Sequence, residues 1–129
     1  MEKSSRSFTP GARLRSFGYA MKGLALVIRY EHNARIHLVS AMAATAMGIL
    51  LHINRVEWVL VILCVGLVIV TEIVNTAIEK LVDLVSPQQS EQAKVIKDIS
   101  AAAVLVSACI ALLTGLVVFL PHLIRLFYN

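Results

Sequence analysis

Cysteine and aromatic residues are scarce in this 129-residue chain, with two of the former and 6% of the latter. Cys64 and Cys109 each stand inside an apolar run with no partner at disulfide or metal-ligand spacing, which leaves them as buried reduced thiols. Also absent are the GxxxxGK[ST] phosphate loop and the GxGxxG and HRD signatures of soluble nucleotide folds. The length allows one domain at most. No apolar stretch precedes a small-residue cleavage site near the start, so no cleavable signal peptide is expected.

What is present is aliphatic. The hydrophobic fraction of 58% exceeds the soluble norm of about 45–50%, and with few aromatics its bulk is Leu, Ile, Val and Ala, as in bundled membrane helices. An all-α integral membrane protein is the expectation. The net charge of +4 is unevenly spread. Seven of twelve Lys/Arg residues (Lys3, Arg6, Arg13, Arg15, Lys22, Arg29, Arg35) precede the first apolar run, and Lys80, Lys94 and Lys97 lie between the second and third. Only Arg55 and Arg125 remain for the other side. The positive-inside rule then puts the N-terminus and the second connection in the cytoplasm. The basic surplus serves topology and anionic lipid, with no nucleic acid partner implied.

Residues 1–10 are polar and expected to be flexible; 11–129 form a single membrane domain. Over 11–30, Leu14, Phe17, Met21, Leu24 and Ile28 make one stripe and Arg15, Lys22 and Arg29 another, which predicts a helix lying on the inner membrane face. Spans are expected over about 35–53, 56–84 and 99–120. "SPQQSEQAKVIKD" reads as a polar cytoplasmic connection, and "PHLIRLFYN" follows the last span. Ser100, Ala101, Ala103, Ser107 and Ala108 offer a small surface for close helix contact.

One stretch resists a purely structural account. In "TEIVNTAIEKLVD", Glu72, Asn75, Glu79 and Asp83 follow at spacings of 3, 4 and 4, which puts all four on one face of the second span. A charged side chain at mid-membrane costs about 2.5–3.5 kcal/mol. Counting from Val56, Glu72 lies about 24 Å into a core of about 30 Å, just inside the cytoplasmic boundary, with Glu79 further out. The face therefore climbs from the headgroups into the cytosol, where a lipid hydroxyl meets a water-soluble reagent. "EHNARIH" reaches the same level from the first span, so Glu31 can face Glu79 within one chain or across a subunit contact. Such a pair suits Mg²⁺, which takes one or two carboxylates and completes its shell with water and phosphate oxygens. Singly, each residue has a plainer reading: Glu31 paired with Arg35, Glu72 satisfied by Asn75 or by small hydroxyls on another helix, Glu79 and Asp83 solvated beside Lys80, and Lys97-Asp98 a helix-end pair. A transporter or channel subunit using Glu72 as an ion site is the rival from another class, but such sites lie nearer the midplane.

The motif E-x-x-N-[ST]-[AS]-I-E-x-x-x-D, here "EIVNTAIEKLVD", followed by "KDISAAAV", resembles the prokaryotic diacylglycerol kinase family, whose members are small homotrimeric membrane lipid kinases. "GYAMKGL" and "EHNARIH" fit the same template, so the resemblance covers roughly residues 15–120. The form of "EHNARIH" is closer to the branch that includes undecaprenol kinases. The resemblance implies transfer of the ATP γ-phosphate to diacylglycerol, or alternatively to undecaprenol. It implies Glu72 as general base, Asn75 as the group that orients the reactants, and Glu31 and Glu79 as ligands of the Mg²⁺ on ATP. Tyr19, Gln88, Gln89, Ser90, Lys97 and Asp98 are the implied nucleotide contacts, and Arg15, Lys22, Asn33, Arg35 and Glu72 the lipid contacts. At 88–90 the chain reads QQS where the enterobacterial branch has EYH, and both Arg13 and Arg15 lie near the place of a nucleotide-contacting arginine.

Overall fold

The computed structural model describes residues 9–88 and 90–128 and is all-helical over them. α1 spans Pro10–Tyr30, α2 His32–Leu50, α3 Arg55–Val85 and α4 Glu91–Tyr128. A single residue separates α1 from α2: Glu31 is extended (φ −99°, ψ 121°), and its N–H still closes α1 on the Val27 carbonyl at 2.9 Å. The chain thus turns a corner at the carboxylate that the sequence marks as functional.

The α2–α3 turn is fixed by local chemistry. His52 takes the left-handed conformation (φ 51°), and the Ile53 N–H reaches back to the Gly48 carbonyl at 3.2 Å, a helix-ending pattern that usually employs glycine. Asn54 and Glu57 then cap α3 reciprocally, the Asn54 side chain accepting from the backbone of Val56 and Glu57, and Glu57 from that of Asn54. Gly48 lets the turn pack closely, because a Cβ would stand 3.0 Å from both Ile53 and the Trp58 ring and push them aside. Trp58 packs beside the buried cluster of Ile53, Val61, Val118 and Phe119, which closes this end of the bundle.

α3 packs chiefly on α4, and polar rungs set their register. Thr71 shares a hydrogen bond with Ser107 at 2.8 Å, Ser100 donates to Asn75 at 2.6 Å, and Lys97 pairs with Asp83. Ser100 and Ser107 are therefore spent on a helix of their own chain, while Ala101 and Ala103 remain exposed. Large aliphatic side chains such as Ile62, Leu63, Leu112 and Leu113 face outward. Among the described residues, α3 and α4 are the two helices long and apolar enough to cross a membrane. α2, the first expected span, is not one of them: it has 19 residues and opens on His32, Asn33, Arg35 and His37.

Two boundaries differ from expectation. The connection read as "SPQQSEQAKVIKD" becomes helical at Glu91, because the Ser90 hydroxyl accepts from the Ala93 N–H at 3.1 Å as an N-cap. α4 also runs past Leu120 and through Pro121 to Tyr128.

Candidate functional site

Glu72, Asn75 and Thr76 are the buried polar residues of α3. Glu72 is 4% exposed, and its Oε2 is buried without a hydrogen-bond partner, as is Thr76 Oγ1 one turn on. Asn75, the partner expected for Glu72, is turned elsewhere: its Oδ1 accepts from Ser100 and its Nδ2 donates to Glu79 Oε1 at 3.0 Å. Leaving a buried acceptor unpaired costs about 1–3 kcal/mol, and more when it is charged. Native proteins keep few such groups, so each calls for a reason.

Glu72 opens into a cavity of about 140 Å³. Its walls are Leu24, Val27 and Ile28 of α1, Ala34, His37 and Leu38 of α2, and Ile69 and Ile73 of α3. A larger apolar cleft of about 560 Å³ lies between α2, α3 and α4, shares His37 and Ile69 with the first, and extends to Leu120 and Leu123. His37 shares this cavity with Glu72, Asn75 ties Glu79 to the same face of α3, and Lys80 holds Glu31 beside it, so three carboxylates and an imidazole from three segments gather along one face.

The remaining expected residues divide. Glu31 does not pair with Arg35; its carboxylate meets Lys80 at 3.2 Å, since the α1–α2 corner aims it at α3, while Arg35 is exposed on α2. Asp83 remains solvated, its side chain 61% exposed, but it pairs with Lys97, and that contact replaces the Lys97-Asp98 pair of the plainer reading. Asp98 is exposed next to it. Tyr19, Arg15 and Lys22 are exposed on α1, and Asn33 on α2. Gln88 is exposed in the α3–α4 connection, Gln89 lies outside the described residues, and the Ser90 hydroxyl is engaged as a cap. Sequence reasoning missed Lys80, Ser100 and His37 as parts of this site. For His37 the signal was its spacing from Glu31, which carries α2 inward by about 9 Å.

No group of three or more His, Cys, Asp or Glu side chains able to hold a metal ion alone occurs among the described residues. Carboxylates such as those of Glu31 and Glu79 are hard oxygen donors of the kind Mg²⁺ takes one or two at a time, together with water and phosphate oxygens.

The model of the prokaryotic diacylglycerol kinase family matches residues 18–119. The chain is similar to an undecaprenol kinase of Bacillus subtilis, 38% identical over 109 residues that cover 84% of this chain and 89% of that one. It is 37% identical to a diacylglycerol kinase of Synechocystis over 112 residues, 86% of this chain and 64% of that protein. Against the diacylglycerol kinase of Escherichia coli K12 the identity is 31%, over 84% of this chain and 89% of the relative.

Proposed function

The chain belongs to the prokaryotic diacylglycerol kinase family, and from that premise we propose that it is a membrane lipid kinase that moves the γ-phosphate of ATP to the hydroxyl of a lipid alcohol. The observation that carries this reading is the buried, unpartnered Glu72 oxygen facing an apolar cavity, with Glu31 and Glu79 gathered toward the aqueous end. Glu72 takes the proton of the lipid hydroxyl as its oxygen attacks the γ-phosphorus, and the bond from that phosphorus to the β-phosphate oxygen breaks to release ADP. Burial among apolar side chains excludes water as a competing proton acceptor. Asn75, clamped by Ser100, holds Glu79 by its amide N–H.

Glu31 and Glu79 would hold Mg²⁺, which would supply charge neutralisation on the transferring phosphate. Phosphoryl transfer asks the protein mainly for positioning and charge stabilisation. Lys97 and Asp98 on α4, Tyr19 on α1 and the connection at 88–90 form the nucleotide side, and Arg15, Lys22, Asn33 and Arg35 the headgroup side. The lipid tail lies along the larger cleft. The protein spans the inner membrane three times, with α2 as the first span and the active site cytoplasmic, and works as a homotrimer. The outward-facing aliphatic side chains of α3 and α4 suit contact with lipid and with neighbouring copies.

The acceptor is diacylglycerol or undecaprenol; both present a hydroxyl at the same depth. Purified protein given ATP, Mg²⁺ and either lipid in detergent micelles tests the proposal. Phosphorylated lipid from one of them supports it, and ATP-independent ion flux without phosphorylation refutes it in favour of a transporter.

A further inference from the structure

The acceptor cavity poses a hydrogen-bonding problem. A hydroxyl carries one donor and two acceptor lone pairs. In the proposed transfer its proton goes to Glu72 and one lone pair attacks phosphorus. The other lone pair needs a donor, or it is orphaned among hydrocarbon at a cost of about 1–3 kcal/mol. Seven of the nine side chains that wall the cavity are aliphatic. Glu72 accepts when ionised and cannot donate, and Thr76 and Asn75 are not among the walls. The remaining wall residue is His37, half-buried on α2, which also borders the larger apolar cleft.

We propose that His37 is a positioning residue for the phosphoryl acceptor: from α2, across the cavity from Glu72, its ring N–H donates to the lipid hydroxyl oxygen and turns that hydroxyl's proton toward Glu72. The inference rests on the lipid kinase reading. Its place at the junction of the two cavities suits the role, because a lipid whose tail fills the larger cleft brings its polar end past this imidazole.

The test uses the full chain in mixed micelles, with His37→Leu and His37→Gln compared with wild type on a diacylglycerol and on a polyprenol. For His37→Leu the expected result is a loss of about tenfold or more in kcat/KM for the lipid, with KM for Mg·ATP within about twofold of wild type. His37→Gln keeps an N–H donor and recovers most of the loss. A packing role would move both substrates' constants or the thermal stability, and would not be rescued by Gln. The inference is overturned if His37→Leu leaves lipid kcat/KM within about twofold, if the ATP constant moves equally, or if Gln and Leu behave alike. Should wild type phosphorylate neither lipid, the kinase reading falls and this inference with it; a defect confined to the variants bears on His37 alone.

Discussion

Ser100→Ala tests the wiring of the site most directly. Ser100 donates to Asn75 Oδ1 at 2.6 Å, and that bond decides which end of the Asn75 amide faces Glu79, where Nδ2 donates at 3.0 Å. Without the hydroxyl, a buried amide oxygen loses its partner. The amide then keeps one anchor only, its N–H on the Glu79 carboxylate, and Glu79 loses a firmly held partner. The cost of the orphaned group is about 1–3 kcal/mol, which corresponds to about 5- to 150-fold in a rate or binding constant. If Glu79 serves the nucleotide side as proposed, the loss falls on kcat/KM for Mg·ATP, with the lipid KM little changed.

Ser107→Ala is the matched control. Its hydroxyl also bonds α3, through Thr71, but Thr71 keeps the Leu67 and Val68 carbonyls, each at 3.0 Å. Nothing buried is stranded, so this variant loses at most about 1 kcal/mol of stability and keeps its kinetic constants. Steady-state lipid phosphorylation with Mg·ATP varied at saturating lipid reads both variants. If the two lose the same activity, or if Ser100→Ala keeps its Mg·ATP constants, the Asn75 relay is refuted.

Glu79→Gln removes a ligand charge but little shape, so activity falls at ordinary Mg²⁺ and recovers as Mg²⁺ and ATP are raised; near-wild-type activity without that increase refutes ligation. Glu72→Gln lowers kcat by about 10²–10⁴-fold, the usual scale for a positioned base, while ATP binding measured separately survives; collapse of ATP affinity with kcat intact would make Glu72 a ligand instead. Gly48→Ala drives a methyl to 3.0 Å from Trp58 and Ile53 and costs about 1–3 kcal/mol of thermal stability, with unchanged activity per folded protein. Glu31 meets Lys80 in its own chain, next to Glu79, so co-reconstituted Glu31→Ala and Glu79→Ala chains stay inactive after subunit exchange; recovered activity would mean that neighbouring copies supply these two carboxylates to one site.

Helix identity and the polar face of α3 were legible because each follows from one segment's own periodicity. Partner choice was not, because it depends on the register of α3 against α4. Ser100 looked like a small contact residue and Asn75 a reactant-orienting one; only the antiparallel register joins them. Lys80 and Glu31 are brought together by a corner one residue wide, which no propensity reveals. The start of α4 was readable in principle, since "SEQA" places a capping serine before an acidic first turn. Its far end was not: Pro121 removes a helix N–H, yet Val118 and Phe119 are buried just before it, and His122 bonds the Val118 carbonyl at 3.0 Å and approaches Glu57 at 3.6 Å just after. Packing on both sides of the proline outweighs the lost bond, as neighbouring helices allow in membrane spans.

Lys97 shows why a settled partner in the structure and a functional expectation need not conflict. Its ammonium rests on Asp83, yet the two side chains are 36% and 61% exposed. Exposed ion pairs contribute about 0–1 kcal/mol, because water and salt compete for both charges. Charge-assisted bonds to phosphate oxygens are stronger, and a lysine on a flexible stem redirects at little cost. The polar face of α3 therefore holds two kinds of group. Asn75 is locked from both ends and has one orientation to offer. Lys97 is held by an exposed pair weak enough to yield to a phosphate, and in the proposed kinase this division would keep the base and the carboxylates fixed while substrates enter and leave on every turnover.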